Sequence, residues 1–108
     1  MMDNYKEIFR LKEMLEKAKI PFEFKEEITM RKGYQIVYPS SNVRVCSCIE
    51  HSFSYGNEDD KLEIMGLLTD LEQAEDVGDE YSVKGYLTAE EVYKRIYIHY
   101  KAVKNVKG

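Results

Sequence analysis

The segment from Arg44 to Asp60 holds most of the side chains that do chemistry in this chain of 108 residues. It contains both cysteines, one of the two histidines and a Tyr-Gly-Asn turn, in the order RVCSCIEHSFSYGNEDD. Such residues serve metal binding, nucleophilic attack by a thiol, or recognition of an anionic ligand. Their spacing decides which of these is feasible.

Metal binding fits this spacing poorly. In a strand the side chains alternate between two faces, so Cys46 and Cys48 share one face while His51 lies on the other. A Cys-Cys-His corner would require a break or a bulge between them, and the spacing is not that of a C-x2-C zinc pair. The only other imidazole is His99. We therefore predict no metal and no cofactor.

A thiol–imidazole nucleophile is the enzymatic alternative. It would require Cys46 or Cys48 to meet His51 or His99, and strand alternation makes His51 a poor partner. His99 would reach the thiols only if the second helix covered the cysteine face. No phosphate-binding loop, dinucleotide turn, nucleophile elbow or H-E-x-x-H helix occurs in the chain. We predict free thiols that pack as small apolar groups, and a protein that is not an enzyme.

Four residues are predicted to bind a ligand if the ligand is anionic, for instance a cyclic nucleotide: Arg44, His51, Tyr55 and Asn57. Arg44 would contact a phosphate, Tyr55 would stack on a base and Asn57 would bond to the base edge. Arg44 and Tyr55 lie on opposite faces of a regular strand. A shared pocket therefore requires a bulge near His51 or a second subunit. His51 itself lies on the apolar face, where core or interface histidines are common.

Length, charge and hydropathy restrict the class of protein. The chain predicts a single domain over residues 1–108. A formal charge of -4 argues against nonspecific binding to nucleic acid, because neutralising many phosphates needs a basic surface. The apolar runs are too short to cross a bilayer, which predicts no contact with a membrane. Two cysteines so close together favour a reducing compartment, so we expect a cytoplasmic protein.

The periodicity of apolar residues predicts a helix, a sheet and a second helix. Asp3 caps the first helix, whose stripe of Ile8, Leu11, Leu15 and Ala18 ends before Pro21. Period-two patterns and turn residues then predict five strands, at 22–28, 34–38, 43–55, 61–68 and 81–87. The segment 61–68 also fits a short helix, and its short flanking turns favour the strand.

The second helix begins at a capping box, Thr88-Ala-Glu-Glu91. Its inward stripe is predicted to be Val92, Ile96, Tyr100 and Val103, with Ile98 off the stripe. The predicted fold class is α+β: an N-terminal helix, an antiparallel sheet of about five strands, and a C-terminal helix, with both helices packed on one sheet face.

Two surface features predict partners. Nine tyrosines and no tryptophan occur, and the surplus tyrosine surface of the second helix predicts a homo-oligomer. Six carboxylates lie between the last two predicted strands: Asp70, Glu72, Glu75, Asp76, Asp79 and Glu80. Like charges repel, so this segment is predicted to be a loop, which would steer a basic protein partner more readily than a free nucleotide.

Three strings carry a resemblance to known proteins: FRLKEMLEKAKIPFEF, IEHSFSYGNEDDKLEIMGLL and VKGYLTAEEVYKRI. At these strings the chain resembles small uncharacterised proteins encoded in phages and prophages of Firmicutes, over about Tyr5 to Tyr100. The resemblance implies a phage accessory protein that binds and inhibits a host partner, for example as an anti-defence factor. A sponge for a small nucleotide signal and a small cysteine-dependent enzyme are the alternatives.

Overall fold

Two helices flank a run of five strands in chain order. The computed structural model describes residues 6–27, 33–51, 60–68 and 83–106. The helices are α1 (Lys6–Lys17) and α2 (Ala89–Val106), and the strands are β1 (Glu23–Glu27), β2 (Gly33–Pro39), β3 (Arg44–His51), β4 (Leu62–Met65) and β5 (Val83–Leu87). The predicted α+β class is confirmed, and the strand predicted at 61–68 is present over the shorter range Leu62–Met65.

The five strands form one antiparallel sheet in the order β1-β2-β3-β4-β5. Each strand therefore pairs with its neighbour in the chain, as short connections favour. Ile36 of β2 and Ile64 of β4 both pair with Cys48 of β3. Because directly paired residues project to the same face, these three side chains lie on one side of the sheet.

The covered face of the sheet is the face that carries the cysteines. Cys46 and Cys48 are buried in one core cluster with residues of both helices, and Glu50 is buried on the same face. On the opposite face Val43 is 62% exposed and Val45 and Ile49 are half-buried, while Ser47 and its pair Val37 are buried. The more apolar side of β3, which includes the His51 position, is therefore not the side that the helices cover. The helices contribute many of the large aliphatic side chains of this core, so the small thiols of β3 can fill the remaining space opposite them.

Helix α1 lies on the covered face through the predicted stripe. Ile8, Leu11 and Leu15 are fully buried, and Ala18 packs at the edge of the same cluster. The helix stops before Pro21, as predicted, and Lys19 has a positive φ of 59°, which is a common way to end a helix. The predicted cap, Asp3, lies outside the described residues.

Helix α2 begins with the predicted capping box. The Glu91 amide donates to Thr88 Oγ1 at 3.2 Å, and the Thr88 amide donates to Glu91 Oε1 at 2.8 Å. Val92 and Ile96 are fully buried, in agreement with the predicted stripe. Val103 is 43% exposed, so its prediction as an inward residue was wrong. An apolar residue of a helical stripe is buried only where another element of the fold packs against that turn of the helix.

Several predictions fall on parts of the chain outside the described residues. These are the far end of the third strand at 52–55 and the acidic segment 70–80. Neither described helix is long and apolar enough to span a membrane.

Candidate functional site

The four predicted ligand-binding residues are not shown together. Arg44 is exposed and is the first residue of β3. His51 is the last residue of that strand, and its Cα pairs with Gly33. Tyr55 and Asn57 lie outside the described residues. The predicted pocket therefore stays a prediction, with Arg44 as its one described side chain.

Both cysteines are free thiols inside the core, as predicted. Burial raises the pKa of the Cys46 thiol to about 12, an effect that the positive charge of Arg95 only partly offsets. Burial raises the pKa of Cys48 as well, and the neighbouring Cys46, Glu50 and Glu63 add to that rise. Since the thiolate is the nucleophilic form, neither group is activated near neutral pH.

His99 lies on the helix that covers the cysteine face, where it meets a tyrosine. The Tyr38 hydroxyl is 2.9 Å from His99 Nδ1, and the two rings meet edge to face with centroids 5.5 Å apart. Burial is the main cause that raises the pKa of Tyr38. The contact joins β2 to the middle of α2, so we interpret His99 as a packing residue of this helix.

A groove runs between α2 and the residues that follow β4. It has a volume of about 460 Å³, and its lining combines aliphatic with charged side chains: Leu67, Leu68, Ile98, Glu91, Lys94 and Arg95. Arg95 Nη1 donates to the Leu67 carbonyl at 3.0 Å, which fixes this wall of the groove to the helix. Ile98 is 58% exposed at its edge.

The wall of the groove that follows β4 depends on an unusual backbone. Gly66 and Leu67 have positive φ values of 97° and 56°. A Cβ at position 66 would lie 2.2 Å from the Val45 carbonyl oxygen, so only glycine fits there. This close approach turns the chain away from β4 and brings Leu67 and Leu68 opposite α2.

The exposed surface of α2 is cationic on both sides of Ile98. Residues 92–104 include Lys94, Arg95, Lys101 and Lys104 and no carboxylate. On the flank away from the groove Tyr93 and Tyr97 stack with centroids 5.8 Å apart, and Tyr97 is 41% exposed. The helix therefore presents two flanks: the groove flank at Ile98 and the tyrosine flank at Tyr97.

The sequence analysis gave no role to the groove or to Glu50. Ile98 did carry a signal, because it lies off the inward stripe of its helix. Glu50 is the one fully buried carboxylate among the described residues, and nothing in its local sequence marks it. Within those residues no group of three or more His, Cys, Asp or Glu side chains is placed to hold a metal ion.

Fold and groove together define the class: an α+β protein whose two helices cover one face of a five-stranded antiparallel sheet. Comparison of the chain with protein-family models, with curated protein sequences and with solved structures finds no match.

Proposed function

We propose that this chain is a non-catalytic accessory protein of phage or prophage origin that sequesters a host protein. The groove between α2 and Leu67-Leu68 is the surface that makes the contact. Its lining combines three aliphatic side chains with three charged ones. Interfaces draw most of their affinity from one apolar anchor that fills such a pocket inside a polar rim. That lining is the observation that supports the proposal.

The charges of the groove indicate the chemistry of the partner. Lys94 is exposed, and Arg95 is held in place by its bond to the Leu67 carbonyl. These two cations outnumber Glu91, the carboxylate of the lining, so the groove has a net positive charge although the whole chain has a formal charge of -4. Complementary charge speeds encounter and selects among partners. The matching partner is a protein segment with an apolar anchor and flanking carboxylates.

The two alternative functions have less support from the described residues. A cysteine-dependent enzyme needs a thiolate, and burial keeps the Cys46 and Cys48 thiols protonated. A nucleotide sponge needs Arg44, Tyr55 and Asn57 in one pocket, of which only Arg44 is a described side chain. We therefore place the groove ahead of both.

Matched substitutions on α2 test the proposal once the protein that co-purifies from the host has been isolated. Ile98→Glu and Lys94→Glu each change one aliphatic or one lysine side chain of the groove. Val103→Glu and Lys101→Glu change an aliphatic and a lysine side chain that do not line it. We expect each groove variant to weaken the affinity by roughly tenfold to a hundredfold, as for loss of an interface anchor. Calorimetry with the purified partner measures this loss.

The control variants separate specific binding from general attraction. Val103→Glu and Lys101→Glu should each retain the wild-type affinity within about threefold, because neither residue lines the groove. Equal losses in all four variants would show nonspecific electrostatics instead of a groove. Binding of a mixed-sequence oligonucleotide at the same sites would replace the protein partner with nucleic acid and overturn the proposal.

A further inference from the structure

Glu50 lies on the covered face of β3 and is completely buried. Its Oε1 accepts a hydrogen bond from the Ile8 amide at 3.3 Å, at the first turn of α1. Its Oε2 is also buried and has no hydrogen-bond donor among the described residues. A buried carboxylate oxygen without a donor costs a large part of its hydration free energy, so this arrangement needs a cause.

The carboxylate beside Glu50 is Asp60, which precedes β4. Asp60 Oδ2 accepts from the Lys6 amide at 3.2 Å, and its Oδ1 accepts from the Glu7 amide at 3.3 Å. Asp60 thus caps α1 from 54 residues away in the chain. The Asp60 carboxylate thus has two amide donors and lies at the positive end of the helix dipole, whereas Glu50 accepts from one amide.

The other charged side chains near Glu50 give it no counter-ion among the described residues. On α1, Glu7 accepts from the Ala89 amide and pairs with Arg10, and Arg10 also pairs with Glu90 of α2. On β4, Glu63 pairs with Ile49 and so faces the opposite side of the sheet. On β2, the residue that pairs with Glu50 is Tyr34, whose side chain cannot become a cation. The two charges that act on Glu50, Asp60 and Glu7, are both negative.

We infer that Glu50 is a proton-binding site, held as the neutral acid, whose proton is donated to Asp60 and so fastens the start of α1 to the sheet. The proton supplies the donor that Oε2 lacks and removes the repulsion between two carboxylates. Each atom of the pair then has a partner: Oε1 accepts from Ile8, and Asp60 accepts from α1 and from Glu50.

The direction of the titration follows from this geometry. Burial is the largest cause that raises the pKa of Glu50, to about 9, and the hydrogen bond and charge of Asp60 add to it. The folded chain thus binds this proton more tightly than the unfolded chain, where the ordinary pKa is 4.5. The stabilisation is complete below the unfolded value and is lost as the pH rises towards the folded one.

The experiment measures the protonation state and the stability separately. A carbon-13 titration of the carboxyl groups should show one glutamate that stays neutral at pH 7, and its signal should be missing in Glu50→Gln. Between pH 6 and 8 the folding equilibrium constant of the wild type should fall about tenfold per pH unit more steeply than that of Glu50→Gln. The matched control, Glu26→Gln at an exposed position of β1, should keep the wild-type slope.

Glu50→Gln should fold well, because its side-chain amide oxygen can accept from the Ile8 amide while its NH2 group donates to Asp60. Neither bond requires the side chain to take up a proton from solvent. The protection of the Lys6, Glu7 and Ile8 amides from hydrogen exchange, relative to their intrinsic rates at each pH, should fall above pH 8 in the wild type and stay constant in this variant. A Glu50 carboxyl that titrates near pH 4.5 would overturn the inference, whether or not the variant folds. So would parallel stability profiles of the wild type and Glu50→Gln.

Discussion

Three acids alternate along the covered face of β3: the thiols of Cys46 and Cys48 and the carboxyl of Glu50. Burial changes all three in the same direction, since it penalises the ionised form and raises each pKa. The two thiols that make this strand conspicuous in the sequence, and the inconspicuous Glu50 beside them, are therefore neutral at pH 7. For single residues, therefore, the burial of a side chain determines its reactivity more than its residue type does.

Thiol labelling tests this conclusion at the residue scale. The pKa of Cys46 rises from 9.0 to about 12, so its thiolate fraction at pH 8 falls roughly a thousandfold, and burial slows labelling further. We expect a maleimide to label the native protein only on the timescale of unfolding, and to label it at once in concentrated urea. Cys46→Ala, which leaves Cys48 alone, should behave in the same way. Fast labelling of the native thiols would instead restore the cysteine-enzyme hypothesis.

At the scale of elements, the first turns of both helices are joined by side chains from distant parts of the chain. Glu7 of α1 accepts from the Ala89 amide of α2 at 2.7 Å, and Asp60 caps α1. The helix ends are thus stabilised partly by each other, which fixes how α1 and α2 lie on the sheet. The capping box of α2 and the Glu7–Arg10 pair of α1 are, by contrast, local contacts.

The capping box gives a prediction at the element scale. Thr88→Ala removes the oxygen that accepts from the Glu91 amide and should lower the free energy of unfolding by about 1 kcal/mol. Thr88→Ser keeps that oxygen and should remain within about 0.5 kcal/mol of the wild type. Urea denaturation followed by circular dichroism measures both values. Equal free energies of unfolding for the two variants would contradict this prediction, because water would then replace the Thr88 oxygen at the Glu91 amide without loss of stability.

For the whole molecule, the two flanks of α2 separate two kinds of association. The groove flank, at Ile98, fits the proposed host partner. The tyrosine flank carries the stacked pair Tyr93 and Tyr97, with Lys101 Nζ 6.0 Å from the Tyr97 ring centroid. Exposed aromatic groups on a helix commonly mark a contact with another chain. We therefore keep the predicted homo-oligomer and assign it to the tyrosine flank.

Light scattering at micromolar concentrations tests the homo-oligomer. We expect the wild type to have at least twice the mass of the chain, and Tyr97→Glu to be a monomer, because a charge would replace an exposed aromatic contact. Ile98→Glu serves as the control and should keep the oligomer, since Ile98 lies on the groove flank. A wild type that remains a monomer at every concentration would remove this assignment.

The sequence by itself determined the elements and their order. The apolar stripe of α1, the Thr88–Glu91 capping box and the alternation in β2 are local patterns, because each depends on residues a few positions apart. The common face of Cys46 and Cys48, away from the His51 position, also followed, since residues two positions apart in a strand lie on the same side. The α+β class needed no more than these signals.

Only the tertiary structure decided which face of β3 is covered, where the groove lies and what Glu50 does. Each depends on contacts between residues far apart in the chain, such as Glu50 with Ile8 and Arg95 with Leu67. Local hydropathy favoured the valine and isoleucine side of β3, but the helices supply the apolar surface opposite the thiols. Sequence patterns place a glutamate on the surface by default. Glu50 is a buried acid only because it packs beside Asp60 and the start of α1.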